Sequence, residues 1–182
     1  MRYHDITTAD MMNGEGLRVV LWLSGCSHHC YNCQNPVTWD ENDGLIFDEA
    51  AKEELFRELD KDYISGLTLS GGDPLHEANL DGVLDLLNEI RLSFPNKSIW
   101  LYSGYTFDYI MEGIGYDENG AFFFLDNDKK RYEIISKCDV LVDGRYIDSQ
   151  RNVQAKWRGS DNQRVIDIRK SLEQNRIVLY CD

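Results

Sequence analysis

The stretch LRVVLWLSGCSHHCYNC, residues 17 to 33, joins a predicted strand to the most reactive residues of the chain. Its first half, Leu17 to Ser24, is continuously apolar and rich in β-branched residues, which favours a buried strand. Gly25 ends this run and allows a sharp turn. Three cysteines then follow within the same loop: Cys26, Cys30 and Cys33. We therefore expect a thiol-bearing loop directly after the first core strand.

The spacing C-x3-C-x2-C supplies three thiolates and no nearby fourth. An iron–sulfur cube that is held by three cysteines keeps one iron free for another ligand. Structural zinc is the competing interpretation, with His28 or His29 as the fourth ligand, but zinc sites more often add a second cysteine or histidine pair further along the chain. Side chains between closely spaced ligands tend to point away from a metal, so we expect both histidines to face solvent. The spacing favours the iron–sulfur cluster.

The remainder of the chain alternates between strand and helix patterns, as expected for one α/β domain over residues 1–182. Such alternation predicts a mostly parallel sheet with right-handed crossovers. The segment 114–129 is too irregular to assign. Further strands are predicted at 66–70, 98–104, 139–144 and 176–180, and helices after Asp48, over 79–93, from Thr106 to Met111, from Lys130 to Lys137 and over VIDIRKSLEQ (165–174).

Composition and charge exclude several classes of function. The net charge is -13, from 32 acidic and 19 basic side chains, and this opposes binding to nucleic-acid phosphates. No stretch approaches the roughly 20 apolar residues that cross a bilayer, and the N-terminus lacks the pattern of a signal peptide. We expect a cytoplasmic protein with neither nucleic acid nor membrane as a partner. Cys138 and Cys181, which lie apart from the other three, are expected to be buried structural residues.

A second motif, Gly71-Gly72-Asp73, follows the predicted strand 66–70. Neither glycine carries a Cβ, so a ligand can approach the backbone closely, and the Asp73 carboxylate suits an ammonium group. By itself the motif also fits a plain turn. Because the carboxyl ends of parallel strands meet at one edge of a sheet, we expect the motif to share a pocket with the cysteine loop.

Together these residues resemble a known superfamily. CSHHCYNC followed by SGGDP is similar to the radical S-adenosylmethionine enzymes. Further segments narrow the resemblance to the anaerobic ribonucleoside-triphosphate reductase-activating proteins. These segments are NGEGLR (13–18), LSGCSHHCYNCQNPVTW (23–39), LSGGDPLH (69–76), LYSGYTFD (101–108), LVDGRY (141–146) and WRGSDNQR (157–164).

The resemblance implies a partial TIM-like (β/α) barrel and a [4Fe–4S] cluster on Cys26, Cys30 and Cys33. The fourth iron would be chelated by the amino and carboxylate groups of S-adenosylmethionine. One electron would then cleave that molecule into methionine and a 5′-deoxyadenosyl radical, which takes a hydrogen atom from a glycine of the reductase. The radical is carried by the cofactor, so no catalytic side chain is expected. By the same resemblance, Gly71, Gly72 and Asp73 hold the methionine ammonium, and Asn32, Cys33 and Gln34 lie beside the adenine.

The implied partners are the large subunit of the anaerobic reductase and an electron donor such as flavodoxin or ferredoxin. Three alternatives stay open at this point: a radical enzyme for a small molecule, similar to 7-carboxy-7-deazaguanine synthase, an activase of another glycyl-radical enzyme, and a zinc-stapled binding module. Arg158, Asn162 and Gln163 match a family segment, or form a capping turn. The aromatic residues of 102–109 either line a groove for the partner or pack in the core.

Overall fold

The structure is a computed structural model that describes residues 1–116, 122–124 and 126–181, with only the backbone of 114–116, 122–124 and 126. In chain order the strands are β1 (Arg2–Asp10), β2 (Arg18–Leu23), β3 (Leu45–Ile46), β4 (Gly66–Gly71), β5 (Ser98–Ser103), β6 (Ile114–Tyr116), β7 (Phe122–Phe124), β8 (Val140–Asp143) and β9 (Arg164–Asp167). The helices are α1 (Glu49–Leu59), α2 (Leu80–Ser93), α3 (Phe107–Glu112), α4 (Asp126–Ser136) and α5 (Ile168–Gln174).

Over the described residues, one sheet of seven strands has the order β3-β1-β2-β4-β5-β8-β9. Its centre is parallel, because β2 pairs with β4, β4 with β5 and β5 with β8 in the same direction. Its flanks are antiparallel, where β1 pairs with β2 and with β3, and β9 pairs with β8. The four parallel strands point their carboxyl ends to one edge, and this edge carries the cysteine loop.

The two faces of the sheet differ in what covers them. One face packs against the helices through a large apolar cluster that includes Leu21, Leu69, Leu101 and Leu141. The other face carries a smaller cluster around Trp100, which the ring of Trp157 covers from a centroid distance of 4.9 Å. Alternate side chains of each strand face opposite sides of the sheet, so this second face also presents Trp22, Ser70 and Tyr102. These three residues reach the cavity described below.

Most predicted elements are confirmed, with bounds that shift by a few residues. The apolar runs became the parallel strands, and Asp48 and Thr106 cap their helices by accepting hydrogen bonds from Ala51 N and Tyr109 N. The predicted strand at 176–180 is wrong: it contributes one isolated bridge, between Ile166 and Leu179. The first residues of the predicted helix VIDIRKSLEQ form β9 instead. Part of the unassigned segment 114–129 lies outside the described residues.

The predicted α/β class with a mostly parallel core is confirmed, but the partial TIM-like barrel is not. In the described ranges the sheet is open, with β3 and β9 as its edge strands. The physical reason is that the chain turns back after β8: β9 runs antiparallel beside it, so the βα repeats that would extend a barrel stop there. Within those ranges no helix is both long and apolar enough to span a bilayer.

Candidate functional site

The cysteine loop, residues 24–35, leaves β2 at the carboxyl edge of the parallel strands. Backbone hydrogen bonds hold its start, from Gly25 N to Thr38 O (2.8 Å) and from Cys26 N to Trp39 O (3.0 Å). His29 and Asn32 have left-handed backbone conformations, with φ of 46° and 54°, which change the direction of the chain between the cysteines. All three cysteines are free thiols of intermediate exposure. The loop therefore offers three sulfurs at the edge of the sheet.

Backbone N–H groups are directed at the sulfur atoms. Asn35 N donates to Cys33 Sγ at 3.4 Å, and the backbone groups of His28 and His29 near Cys26 and of Tyr146 near Cys30 act to lower the pKa values of those thiols. Burial is the largest influence on the Cys26 thiol and raises its pKa to about 11, and the backbone donors act in the opposite direction. Such donors are a recognised feature of iron–sulfur ligands. The residues of the loop thus fit a thiolate-bound cluster.

A single metal ion fits less well. Among the residues that the structure describes, no group of three His, Cys, Asp or Glu side chains could hold one metal ion. In an iron–sulfur cube each cysteine binds its own iron, so the three sulfurs need not converge on one atom. Both ring nitrogens of His28 are also engaged elsewhere, with Asp73 and Arg145. These observations weigh against the zinc interpretation.

Asp73 lies at the predicted edge but is surrounded by protein. It is 1% exposed, and its carboxylate accepts hydrogen bonds from Ser103 Oγ (2.9 and 3.0 Å), Gly104 N (2.9 Å) and Leu75 N (2.8 Å). The fourth partner is His28, whose Nε2 lies 2.9 Å from Asp73 Oδ2. The carboxylate predicted to bind an ammonium group is thus already bonded to the strand ends and to the cysteine loop.

The two glycines before Asp73 serve a close approach between chain segments. A Cβ on Gly72 would lie 2.5 Å from Gly25 O and 2.9 Å from Thr38 O. Asp73 N also donates to Gly25 O at 2.7 Å. The backbone that approaches Gly72 is therefore the cysteine loop itself. This contact brings the two sequence motifs together at one edge, although the predicted shared pocket is not seen in the described lining of the cavity below, which includes Cys33 but not Gly71 to Asp73.

The expectation that both histidines of the loop face solvent is half wrong. His29 is exposed, and its ring contacts Trp39 at a centroid distance of 4.8 Å. His28, by contrast, has a side chain that is only 7% exposed. The reason lies in distant residues: Asp73 and Arg145 bond its two nitrogens, and the Tyr105 ring packs against it at 4.7 Å.

A cavity of about 510 Å³ opens beside the loop on the second face of the sheet. Its volume is in the range of small-molecule sites. Of the residues predicted to bind the cofactor, Cys33 and Gln34 are in its lining, whereas Asn32 and Gly71 to Asp73 are not in the described lining. The wall is completed by side chains from the sheet and from the segment 146–163, among them Trp22, Ser70, Tyr102, Arg151, Trp157 and Arg158.

For Tyr102 and the WRGSDNQR segment the sequence left two roles open, and the structure shows where each of them lies. Tyr102 lines the cavity, and its buried hydroxyl has no hydrogen-bond partner in the described part of the chain, as expected where a ligand completes a site. The Gln163 side chain organises its own turn: Oε1 accepts from Gly159 N (2.9 Å), and Nε2 donates to Gly144 O (2.9 Å). This supports a structural turn that also walls the cavity.

Comparisons with known proteins identify the family of the chain. The family model of a 4Fe-4S single cluster domain matches residues 12–166. The anaerobic ribonucleoside-triphosphate reductase-activating protein of Enterobacteria phage T4 is 39% identical over 91% of this chain and 93% of its own length. Those of Haemophilus influenzae and Escherichia coli K12 are 34% and 35% identical, over 90% and 93% of this chain and 96% and 100% of their own lengths. The chain belongs to the family of anaerobic ribonucleoside-triphosphate reductase-activating proteins.

Proposed function

We propose that this chain activates an anaerobic ribonucleoside-triphosphate reductase by forming a glycyl radical on its large subunit. The observation that carries the proposal is the position of Cys33, which belongs to the three-cysteine loop and also lines the 510 Å³ cavity. A cluster ligand and a small-molecule site are thereby continuous. The names of the relatives supply the substrate, a reductase.

In this proposal Cys26, Cys30 and Cys33 hold a [4Fe–4S] cluster, and the cavity binds S-adenosylmethionine. When bound, the cluster supplies the one electron that splits S-adenosylmethionine into methionine and the 5′-deoxyadenosyl radical that abstracts a glycine hydrogen atom. The chain itself orients the cosubstrate and excludes water, with Trp22 and Trp157 as apolar walls and Gln34 at the loop end of the cavity. No proton transfer by a side chain is required, so none is assigned.

The structure modifies the roles that we propose for the matched residues. We propose that Gln34, which lines the cavity, lies beside the adenine, whereas Asn32, Gly71 and Gly72, which are outside the described lining, shape the cysteine loop next to it. We propose that reduced flavodoxin or ferredoxin supplies the electron and that the reaction takes place in the cytoplasm, where free cysteines stay reduced. One domain spanning 1–182 would carry all of these parts.

Cys30→Ser tests the proposal, with Cys138→Ser as the matched control. Cys138 is buried, and its thiol donates to Ile134 O at 3.3 Å, away from the loop. After anaerobic reconstitution we expect the wild-type chain and Cys138→Ser to bind about four iron atoms and to cleave S-adenosylmethionine. Cys30→Ser should lose the cleavage. With the reductase, the wild-type chain should yield a glycyl-radical doublet in the EPR spectrum.

Three other outcomes would contradict parts of the proposal. Equimolar zinc without iron would reject the cluster, and retained cleavage in Cys30→Ser would reject the ligand assignment. Cleavage of S-adenosylmethionine without a glycyl radical on the anaerobic reductase would reject the proposed substrate.

A further inference from the structure

His28 occupies an unusual place for a residue between two predicted cluster ligands. Its ring leaves the cysteine loop and enters the edge of the sheet, where it meets the residues that follow β4 and β5. Nε2 lies 2.9 Å from Asp73 Oδ2, and Nδ1 lies 3.1 Å from Arg145 Nε. The imidazole therefore connects the loop to two other parts of the chain.

The partners of the ring determine its tautomer. The Nε–H of an arginine can only donate, so Nδ1 of His28 accepts that bond. A neutral imidazole with an acceptor at Nδ1 carries its proton on Nε2, and that proton faces the Asp73 carboxylate. Arg145, His28 and Asp73 thus form a chain of two hydrogen bonds with a defined direction.

The space that holds the His28 ring is bounded by Gly104 and Tyr105. A Cβ on Gly104 would lie 2.3 Å from His28 Cδ2, so only glycine leaves room for the imidazole at this position. Tyr105 packs its ring against His28 at an interplanar angle of 71°. Asp73, in turn, is held by Ser103 and by the amides of Leu75 and Gly104, so the acceptor for His28 cannot easily move.

We propose that His28 is a positioning residue for the iron–sulfur cluster, which fastens the middle of the cysteine loop to Asp73. The start of the loop is held by backbone bonds to Thr38 and Trp39, and His28 supplies the corresponding attachment between Cys26 and Cys30. The inference rests on the proposed function, since it assumes that the cysteines bind a cluster. It assigns to Asp73 the task of anchoring the loop.

A second consequence concerns the electrostatics of the cluster. Nearby charges and hydrogen bonds tune the reduction potential of iron–sulfur centres. The Nε2–H of His28 partly offsets the negative charge of Asp73 beside the loop. Removing this donor exposes that charge, so it should move the reduction potential of the cluster to a more negative value. A residue that only stabilised the fold would not produce this shift.

The test uses the full chain, reconstituted anaerobically with iron and sulfide, and three variants. His28→Phe keeps the ring but loses both nitrogens, His28→Gln keeps an N–H that can reach Asp73, and His29→Phe changes the neighbouring exposed histidine. In His28→Phe we expect cluster affinity to fall about 10- to 100-fold, the usual effect of losing a residue that supports metal ligands, and the potential to become more negative. His28→Gln should recover most of both, and His29→Phe should match the wild type.

Wild-type iron content and potential in His28→Phe would overturn the inference, as would an equal loss in His29→Phe. Circular dichroism of the metal-free variants checks folding. If His28→Phe does not fold, Arg145→Gln decides: this exposed substitution should shift the potential in the same direction by a smaller amount, and no shift would reject the inference. These readouts do not involve the reductase. A cluster that loads normally but does not cleave S-adenosylmethionine would reject the proposed function instead.

Discussion

Asp73 and Asp143 are two buried carboxylates at the same edge of the sheet, and they receive their hydrogen bonds from different kinds of donor. Both are 1% exposed. Asp143, at the end of β8, pairs with the Arg164 guanidinium of the adjacent strand and accepts from Phe107 N at 2.7 Å. Asp73, beyond the end of β4, has neutral donors from the protein core and one partner from the cysteine loop, His28.

Because their partners differ, Asp143 and Asp73 have different roles in the structure. The hydrogen bonds to Asp143 raise the pKa of Arg164 above its usual value, so this ion pair is permanent and complete without the loop. It fastens β8 to β9 and to the start of α3. The hydrogen-bond shell of Asp73 is complete only when the cysteine loop is in place. One aspartate stabilises the sheet, and the other couples the sheet to the proposed cluster.

The largest expected effect separates these two roles. Asp73→Asn places an amide N–H₂ among donors that already point at this position, so we expect His28 to be released and cluster affinity to fall about 10- to 100-fold. Asp143→Asn leaves Arg164 without its buried partner. Because that guanidinium group is partly exposed, the free energy of unfolding should fall by about 2 to 3 kcal/mol, near the lower end for a broken buried pair. Iron content and urea unfolding of both variants measure the contrast.

Similar behaviour of the two variants would contradict these separate roles. Asp73→Asn with normal iron and only reduced stability would make Asp73 a second structural carboxylate. Loss of iron in a folded Asp143→Asn would show that the whole edge supports the cluster.

Gly104→Ala tests the role of Asp73 without changing a polar group. The new methyl group would lie 2.3 Å from the His28 ring, so the ring must move away from Asp73. We expect a loss of about 1 to 3 kcal/mol in stability, typical of overpacking, together with a loss of iron smaller than that of Asp73→Asn. Gly82→Ala on α2 is the control, since its Cβ meets only the flexible Met1 side chain at 3.0 Å. A stability loss with unchanged iron would separate the packing of His28 from its role at the cluster.

The sequence predicted the parts of this edge that depend on local pattern. Leu17 to Ser24 and the other apolar runs predicted the four parallel strands, because strands buried on both faces are continuously apolar. Because the carboxyl ends of these strands share one edge, the sequence also predicted that Gly72 lies near the cysteine loop. β1 was missed because its residues, RYHDITTAD, are mostly polar and only partly buried. β9 was missed because its few apolar residues continue without a break into α5.

The role of His28 could not be read from the sequence in the same way. Its burial is caused by residues far along the chain, the Asp73 acceptor, the Arg145 donor and the space above Gly104. Local pattern indicates only that His28 lies between two ligands, and a side chain there is ordinarily solvated. The same reason applies to the Tyr102 hydroxyl, which has no hydrogen-bond partner among the described residues, because its surroundings come from several strands and from the segment that covers them.

We expect the smallest effect at Asp167, which caps α5 and lies at the opposite end of β9 from Arg164, beside Val140 at the start of β8. Its side chain accepts from Lys170 N at 3.0 Å and pairs with Lys170 Nζ at 2.8 Å. Burial acts to raise the pKa of Asp167, but the hydrogen bonds and charge of Lys170 outweigh it and hold the pKa below its usual value. A lowered pKa in the folded state means that the unfolded chain binds the proton more readily. The stabilisation is therefore present above about pH 4, and it is lost as the pH falls through the folded-state pKa.

Asp167→Ala should accordingly lower the free energy of unfolding by about 1 kcal/mol at pH 7, the usual cost of losing a helix N-cap. The difference from the wild type should shrink below pH 4, and the iron content should not change. Urea unfolding of both chains at several pH values measures this. A difference that stays constant into acid would mean that the carboxylate charge contributes nothing to the cap. A loss of iron would mean that the far end of β9 is coupled to the cysteine loop, because a change remote from both Asp73 and Asp143 would then reach the cluster without passing through His28.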